Sequence, residues 1–589
     1  MPQNGSDDLD AGLLYQVDEI PPNQVTLGLG VQAALLFLGA TILMPTITFQ
    51  AAGASESVVA WAIFASLFVA GVISGLQAFP FRRFGAGFVL ATCPTAAALA
   101  VTVDALSAGG PSLLLTLMIA TALFQFVFSY RISMFRRVIT QTVSGVILML
   151  IPVTAAPIMF QRIGEVSPGN SQPVGLACAL VTLATTICVS LYGRPRLRPW
   201  APLVGICAGG AVAGAYGFVD VDQIRQAPWV GLPSTAWPTV GIDLGPSFWA
   251  LLPAFLIVAV SCSIRTMSAA LAIQDVSWRV PRAPDQRVVQ GALAAEALGN
   301  LLAGLGGTMM NSARSSTVPL VRSTQVSARP VGLVLGLALF AFAFLPKVAA
   351  LVLALPPSVL AAYLAIMLAA LFVTGMKLVV ADGPDYRRML IIGISFWVGA
   401  GCEFGLLLPE ILPQVAGGLL NNGLATGGMT AILMTVLLEL TGRRRRKLVT
   451  DLDVACLPEL REFVARFGSD KGWPQGMLDR LDAVAEETLL TLIEGQTDSD
   501  TDSRRLWVSA HSEGGDAVLE FVAKSSEGNI EDRIAFLGDA SEARPAERDI
   551  SLRLLRHLAS EVRHRQYHDM DLIIVRVERS KGAARQSHL

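Results

Sequence analysis

Charged residues are scarce in this chain, and the scarcity is uneven. Asp, Glu, Lys and Arg make up 15% of its 589 residues, against roughly 25% in an ordinary soluble protein. They are thinly spread between Thr26 and Thr441, whereas they crowd the sequence from Arg443 onward. The net charge of −2 averages these two regions and says nothing about partners. Histidine is also rare, with five in the chain, and the seven cysteines form no CxxC pair. That spacing supports neither a zinc site nor a disulfide framework, and no cofactor is expected. No cluster of nucleophile, base and acid appears, which argues against an enzyme. The first 25 residues are polar and acidic without a basic n-region, so no cleavable signal peptide is expected.

What the chain has instead is apolar length. Hydrophobic residues make up 53% of it, and its mean hydropathy is +0.56. A bilayer core of ~30 Å takes about 20 apolar residues per helix. Runs of that kind fall at 26–46, 57–79, 86–104, 111–130, 138–158, 173–192, 199–217, 248–272, 288–306, 312–328, 331–351, 356–378, 388–407 and 424–442. Fourteen spans are therefore expected, with Leu406 to Asn421 as an interfacial helix. Basic residues follow the even-numbered runs: Arg82 and Arg83, Arg131 to Arg137, Arg194 to Arg198, Arg279 to Arg287, Arg329, Lys377 to Arg388, and Arg443 to Lys447. The alternate loops hold little beyond Arg162, Arg225 and Lys347. By the positive-inside rule both termini are cytoplasmic. Two segments make poor helices: Phe84 to Ala96, with Gly85, Gly87 and Pro94, and Gly306 to Pro319, with Gly307 and Asn311. They fall third and tenth, equivalent places in two halves of seven. Paired interruptions of this kind mark the transport site of an inverted repeat, although two ordinary kinked helices would give the same pattern.

At these segments the chain resembles the nucleobase/ascorbate permease family, which includes the bacterial uracil and xanthine permeases. Gln32 to Pro45 (QAALLFLGATILMP) is similar to the family's QH…FGAT…VP signature, with Ala33 in place of its His. Leu298 to Arg329 fits the family's stretch through a Gly and an Asn to a Glu-Asn-Ile-Gly core, with Gly307, Asn311, Val326 and Arg329 on matching positions. The resemblance covers about 415 residues and implies an α-helical polytopic fold of fourteen segments in a seven-plus-seven inverted repeat. Segments 1–4 and 8–11 would form a core domain and 5–7 with 12–14 a gate domain, with short strands in segments three and ten beside the substrate. It further implies a bacterial inner-membrane location, a homodimer formed through the gate, and a small-molecule solute. Nucleic acid is not an expected partner.

The binding chemistry departs from that pattern. Counting back from Asp275-Val276-Ser277 places Arg265 at the family's segment-eight Glu and Ser268 at its Gly. Ser316 stands at the substrate-binding Glu of segment ten, Thr317 at the Asn and Pro319 at the Gly, with Arg314 where the uracil branch has an aromatic residue. The substrate-binding set implied is Arg265, Ser268, Arg314, Ser315, Ser316 and Thr317, together with Thr92, Cys93 and Gln32. Arg265 ends a long, mostly apolar run, so it lies deep and needs a cavity or a counter-ion. Arginine remains charged there and cannot cycle a proton. Two guanidinium forks suit a carboxylate or another oxyanion. The alternative is an ion pair between Arg265 and Glu296, the only acid in the flanking segments, and Arg314 could instead be solvated at an entrance.

Beyond the membrane part the sequence divides into a basic juxtamembrane linker at 443–450, able to touch anionic lipid, a soluble α/β domain at 451–580, and a tail at 581–589. The first 25 residues form a cytoplasmic N-terminal tail and 26–442 the permease domain. Leu457–Phe467, Met477–Leu492 and Ile550–His564 read as helices, and Trp507–His511, Ala517–Ala523 and Asp571–Val577 as strands. This order resembles the Bergerat-type ATPase domain of anti-sigma-factor kinases. Glu486 and Glu487 match its helix acid and Leu552 to Val562 the helix after its nucleotide lid. Thr491 replaces the Mg²⁺-binding Asn, Val522 to Asn529 lacks Asp-x-Gly-x-Gly, and Gln496 to Ser503 reads as an acidic loop. The domain is expected to bind a cytoplasmic regulatory protein rather than ATP. Two functions remain open: a secondary transporter tuned by this domain, or a non-transporting sensor that signals through it.

Overall fold

The computed structural model describes residues 13–578 apart from 133–139, 165–171, 195–196, 220, 234–240, 281, 382–385, 408–421, 442–445, 495–504, 514, 524–528, 537–546 and 569. The interfacial helix, the acidic loop and most of Val522 to Asn529 lie largely outside the described residues. The chain divides into two units, one of Met1–Arg279 with Val288–Glu439, the other of Val280–Arg287 with Leu440–Leu589.

The first unit is helical. Its main helices are α1 (Asn23–Ala51), α2 (Glu56–Ala78), α3 (Leu99–Tyr130), α4 (Gln141–Gly164), α5 (Gln172–Tyr192), α6 (Ala201–Ala215), α7 (Pro246–Asp275), α8 (Gln286–Leu305), α9 (Thr317–Thr324), α10 (Arg329–Ala343), α11 (Pro346–Leu353), α12 (Pro357–Ala381), α13 (Tyr386–Glu403) and α14 (Gly423–Thr441). Among the described residues eight helices are long and apolar enough to cross a bilayer: α1 to α5, α7, α8 and α12. The count becomes nine if α10 and α11, bent by 73° at Leu345, form one span.

The expected spans at 86–104 and 312–328 are not continuous helices. Each runs through a three-residue strand, β1 (Thr92–Pro94) and β2 (Asn311–Ala313), before a helix begins. The spans expected at 86–104 and 111–130 share one helical stretch, α3, kinked at Gly110, where φ is 66°. Only glycine adopts that backbone without strain, and Pro111 restarts the helix in the next residue.

Packing partners sort the helices into two groups. One contains α2 on α10, α3 on α7, and α1 on both α2 and α10; the other contains α4 on α12, α6 on α5, and α13 on α4. The α2–α10 crossing is a backbone contact: a Cβ added at Gly71 would lie 2.5 Å from the Phe340 nitrogen and 2.8 Å from the Gly336 oxygen. Lipid tails are as apolar as side chains, so such close small-residue packing is a main source of helix association in a bilayer. The segment before α1 is fixed to this unit. Tyr15 forms a parallel bridge with Val326, and Arg279 donates to the Leu13 and Leu14 carbonyls and to Glu19.

The second unit is a five-stranded antiparallel sheet in the order β3-β4-β5-β7-β6, covered by helices. Its strands are β3 (Arg446–Asp451), β4 (Arg505–Glu513), β5 (Asp516–Ala523), β6 (Glu561–Gln566) and β7 (Asp571–Val577). Its helices are α15 (Leu457–Ser469), α16 (Gln475–Glu494), α17 (Ile530–Phe536) and α18 (Glu547–Leu558). The buried face of the sheet, with Leu506, Phe521 and Ile573, packs against Leu460, Leu489 and Leu555 from the helices. Two readings from sequence are corrected here. Arg446 to Lys447 are not linker: they open the edge strand β3, whose Lys447 sits opposite Ser509. The helix expected over Ile550–His564 ends at Leu558, and its last residues become β6. There the burial of His564 and Gln566 between more exposed arginines follows a two-residue period, and pairing with β7 overrides helix propensity.

Candidate functional site

The two strands meet antiparallel, with Thr92 opposite Ala313, Cys93 opposite Ser312 and Pro94 opposite Asn311. Every residue in them is buried. The ladder extends one bond beyond each end, from Thr95 N–H to the Met310 carbonyl and from Arg314 N–H to the Ala91 carbonyl, at 3.0 and 2.9 Å. Extended backbone buried this far survives only because its polar groups are satisfied, partly by the facing strand and partly by surrounding side chains such as Ser74, whose Oγ accepts the Thr92 N–H at 3.0 Å.

Side chains hold the pair in place from behind. The Asn311 N–H donates to Asn300 Oδ1 at 2.7 Å, and Asn300 Nδ2 donates to Gln125 Oε1 at 2.8 Å. Gln125 Nε2 then donates to Glu296 Oε1 at 2.9 Å and to Ser263 Oγ at 3.3 Å. Thr266, on α7, accepts the Ala313 N–H at 3.0 Å. Asn300, Asn311, Glu296 and Thr266 are fully buried. A polar network this deep is stable when its members are paired and costly when one is removed.

Both guanidiniums are anchored on adjacent residues at the end of β1. Arg314 Nη2 donates to the Pro94 carbonyl at 2.9 Å, and Arg265 Nη1 donates to Thr95 Oγ1 at 2.6 Å. They lie within electrostatic reach of each other, and among the described residues Glu296 is the only carboxylate acting on Arg265. No ion pair joins Arg265 to Glu296: the arginine is taken by Thr95 and the carboxylate by Gln125. Arg314 Nε, Thr92 Oγ1, Ser312 Oγ and Asn311 Oδ1 are buried and have no hydrogen-bond partner within the protein. Buried polar atoms are rarely left so. Their concentration on two three-residue strands and the next residue leaves donors and acceptors for water or a solute.

The other residues expected from sequence divide clearly. Cys93 is buried and within electrostatic reach of Arg314. Thr317 is buried with its hydroxyl turned back to the Arg314 carbonyl at 2.9 Å. Gln32, Ser268, Ser315 and Ser316 are exposed, and no described side-chain hydrogen bond ties them to the guanidiniums. Sequence reasoning missed Thr95, Gln125, Asn300, Thr266 and Tyr363. Thr95 had a signal, since a threonine just before an alanine-rich helix start is a capping position, and its Oγ1 does accept the Ala97 N–H. Tyr363 comes from α12, in the other packing group, is buried, and lies near Arg314 and Cys93. Nothing local in the sequence marked it.

Residues 24–408 match the xanthine/uracil family described as "Permease family". The chain belongs to that family. It is a multi-pass membrane permease and not an enzyme. Relatives within the family include the xanthine permease XanP of Escherichia coli K12, 27% identical over 442 residues, covering 72% of this chain and 94% of the relative. The uric acid permease PucK of Bacillus subtilis is 26% identical over 412 residues, covering 69% of this chain and 94% of the relative. Among solved structures, the transmembrane domain of a cyanobacterial bicarbonate transporter, BicA, covers 72% of this permease and 100% of that chain at 15% identity, with a TM-score of 0.45. The murine anion transporter Slc26a9 in its inward-facing state covers 72% and 71% at 13% identity, with a TM-score of 0.48.

Proposed function

We propose that this permease is a secondary transporter for a nucleobase-like or small anionic solute, and that the solute sits at the β1–β2 junction. The observation that carries this reading is the anchoring of the Arg265 and Arg314 guanidiniums on the neighbouring residues Thr95 and Pro94 at the end of β1, next to unpartnered polar atoms. Two fixed cations facing one carboxylate favour a ligand with negative charge, and planar forks recognise a carboxylate or an ionised oxopurine edge. The XanP and PucK relatives, named for xanthine and uric acid, support a ligand of the oxopurine kind. Transport would proceed by a core of α1–α3 and α7–α11 moving against a gate of α4–α6 and α12–α14. These would form fourteen segments in a seven-plus-seven inverted repeat, with both termini cytoplasmic in a bacterial inner membrane and dimer contacts through the gate.

Uptake of labelled xanthine, urate, uracil and small carboxylates into proteoliposomes tests the proposal. Transport of an anionic solute supports it, and binding of a solute without uptake of any overturns it in favour of the sensor reading. That second reading has its own support in the helix and sheet order of the C-terminal unit, which fits a Bergerat-type module serving protein recognition. Thr491, at the position of the expected Mg²⁺ ligand, directs its hydroxyl to the Glu487 carbonyl of its own helix at 2.7 Å. We assign that module a regulatory role with a cytoplasmic partner. A pulldown with the full chain and with a chain truncated after Thr441 tests it, and loss of no partner on truncation would overturn it.

A further inference from the structure

A carrier must return its empty site across the membrane after each delivery, unless it returns loaded. The charges at the β1–β2 junction bear directly on that step. Arg265 and Arg314 supply two fixed positive charges, and among the described residues Glu296 is the only acid acting on Arg265. Glu296 does not close an ion pair with Arg265, because its Oε1 accepts from Gln125 and its Oε2 has no partner. The Arg314 guanidinium is met by a carbonyl, Pro94 O, and not by a carboxylate. The Arg265 guanidinium is met by a hydroxyl, Thr95 Oγ1. The anchors are neutral, so neither guanidinium is closed into an ion pair. One carboxylate against two guanidiniums leaves the empty site with a net positive charge of at least one.

A monoanion bound between the guanidiniums removes most of that charge. The loaded site then crosses the low-dielectric region more easily than the empty one, the reverse of a site built from neutral hydrogen-bonding groups. We propose that this protein works as an anion exchanger, carrying a solute anion in each direction, and that net uptake into an empty compartment is its slow mode. This rests on the transport reading above. Insertion scales for a single arginine at mid-membrane correspond to about a hundredfold or more in a rate, so the empty return should be slower by at least about tenfold.

The test uses the purified full chain in liposomes with labelled urate, an oxopurine that is a monoanion at neutral pH. Chloride is replaced by the anion of a bulky sulfonate buffer, so that neither a small anion nor a carboxylate can fill the site on the return. Valinomycin and equal potassium hold the membrane potential at zero, so that charge accumulation does not itself stop net uptake. Initial uptake is compared between vesicles loaded with unlabelled urate and vesicles without it. The expected result is at least about tenfold faster uptake into loaded vesicles, with the ratio falling toward one in Arg314→Gln. Equal rates in wild-type vesicles overturn exchange while leaving transport intact. A ratio that stays high in both Arg314→Gln and Arg265→Gln overturns its electrostatic cause. Absence of urate uptake and of urate binding in every arm overturns the exchange inference, and the transport reading falls with it when xanthine, uracil and small carboxylates also fail to enter.

Discussion

Replacing Asn300 by alanine should both destabilise the protein and weaken its solute site, because this one side chain links two buried structures. Its Oδ1 receives the Asn311 N–H at 2.7 Å, and its Nδ2 serves Gln125 Oε1 at 2.8 Å. Alanine leaves both partners buried and unsatisfied, at about 1–3 kcal/mol each, for a total of about 2–6 kcal/mol before any cavity cost. Gln125 cannot recover by flipping its amide, since its Nε2 is committed to Glu296. At about 2–4 °C per kcal/mol for a large domain, the melting midpoint in detergent should fall by at least about 4 °C. Because Asn311 opens β2 and Arg314 follows it, urate binding should weaken as well. The assay is the fraction of monodisperse protein surviving a heat step, read by size-exclusion chromatography, with the exposed Gln32→Ala as a control. A midpoint for Asn300→Ala within about 1 °C of wild type would refute the claim that this network supports the strands.

Gly71→Ala and Gly336→Ala should each abolish folded protein on a size-exclusion profile, because the added Cβ meets backbone atoms that cannot turn aside; at Gly336 it would lie 2.6 Å from the Gly75 nitrogen. A normal yield of either variant contradicts the α2–α10 crossing. Arg279→Ala should free the segment from Leu13 to Glu19 for limited proteolysis, since it removes four hydrogen bonds to that segment. The clamp should also depend on pH. The Gln16 N–H, and after it Arg279, hold the exposed Glu19 carboxyl below its ordinary value. A depressed carboxylate keeps its contribution above the ordinary carboxylate range and loses it as pH falls through the lowered value. Cleavage should therefore rise only in acid, and unchanged cleavage down to pH about 3 would contradict this. Finally, a fluorescent ATP analogue should show no saturable binding to the full chain. Saturable Mg²⁺-dependent binding would contradict the regulatory reading of the C-terminal unit.

Long apolar runs were legible because the bilayer imposes one length on every spanning helix, and α1, α2, α7, α8 and α12 fall near their expected limits. The interruptions in segments three and ten were legible through glycine and proline. That they pair as strands rests on contacts between residues more than two hundred positions apart. Arg265 stood out as a candidate because an ionised group at the end of fourteen apolar or small residues needs a partner. Its actual partner, Thr95, could not be read off, and neither could the diversion of Glu296 to a glutamine 171 residues away. Charge complementarity favoured a direct ion pair, whereas the fold supplies a neutral acceptor to one group and a neutral donor to the other. In the C-terminal unit the basic run after α14 resembled a lipid contact and masked the start of β3. Around His564, a helical pattern extended six residues past the end of α18 at Leu558 and hid the change to a two-residue period.

The account's central claim is that fixed guanidiniums have turned a nucleobase permease site toward anions. Titration of purified protein with urate and with neutral uracil, in wild type and Arg265→Gln, tests it most directly. A charge-assisted hydrogen bond to a guanidinium is worth about 1.5–3 kcal/mol, so losing it should weaken urate by about 10- to 150-fold. The account predicts that loss for urate, and much weaker binding of uracil to the wild type. Tight uracil binding that Arg265→Gln leaves unchanged would contradict it.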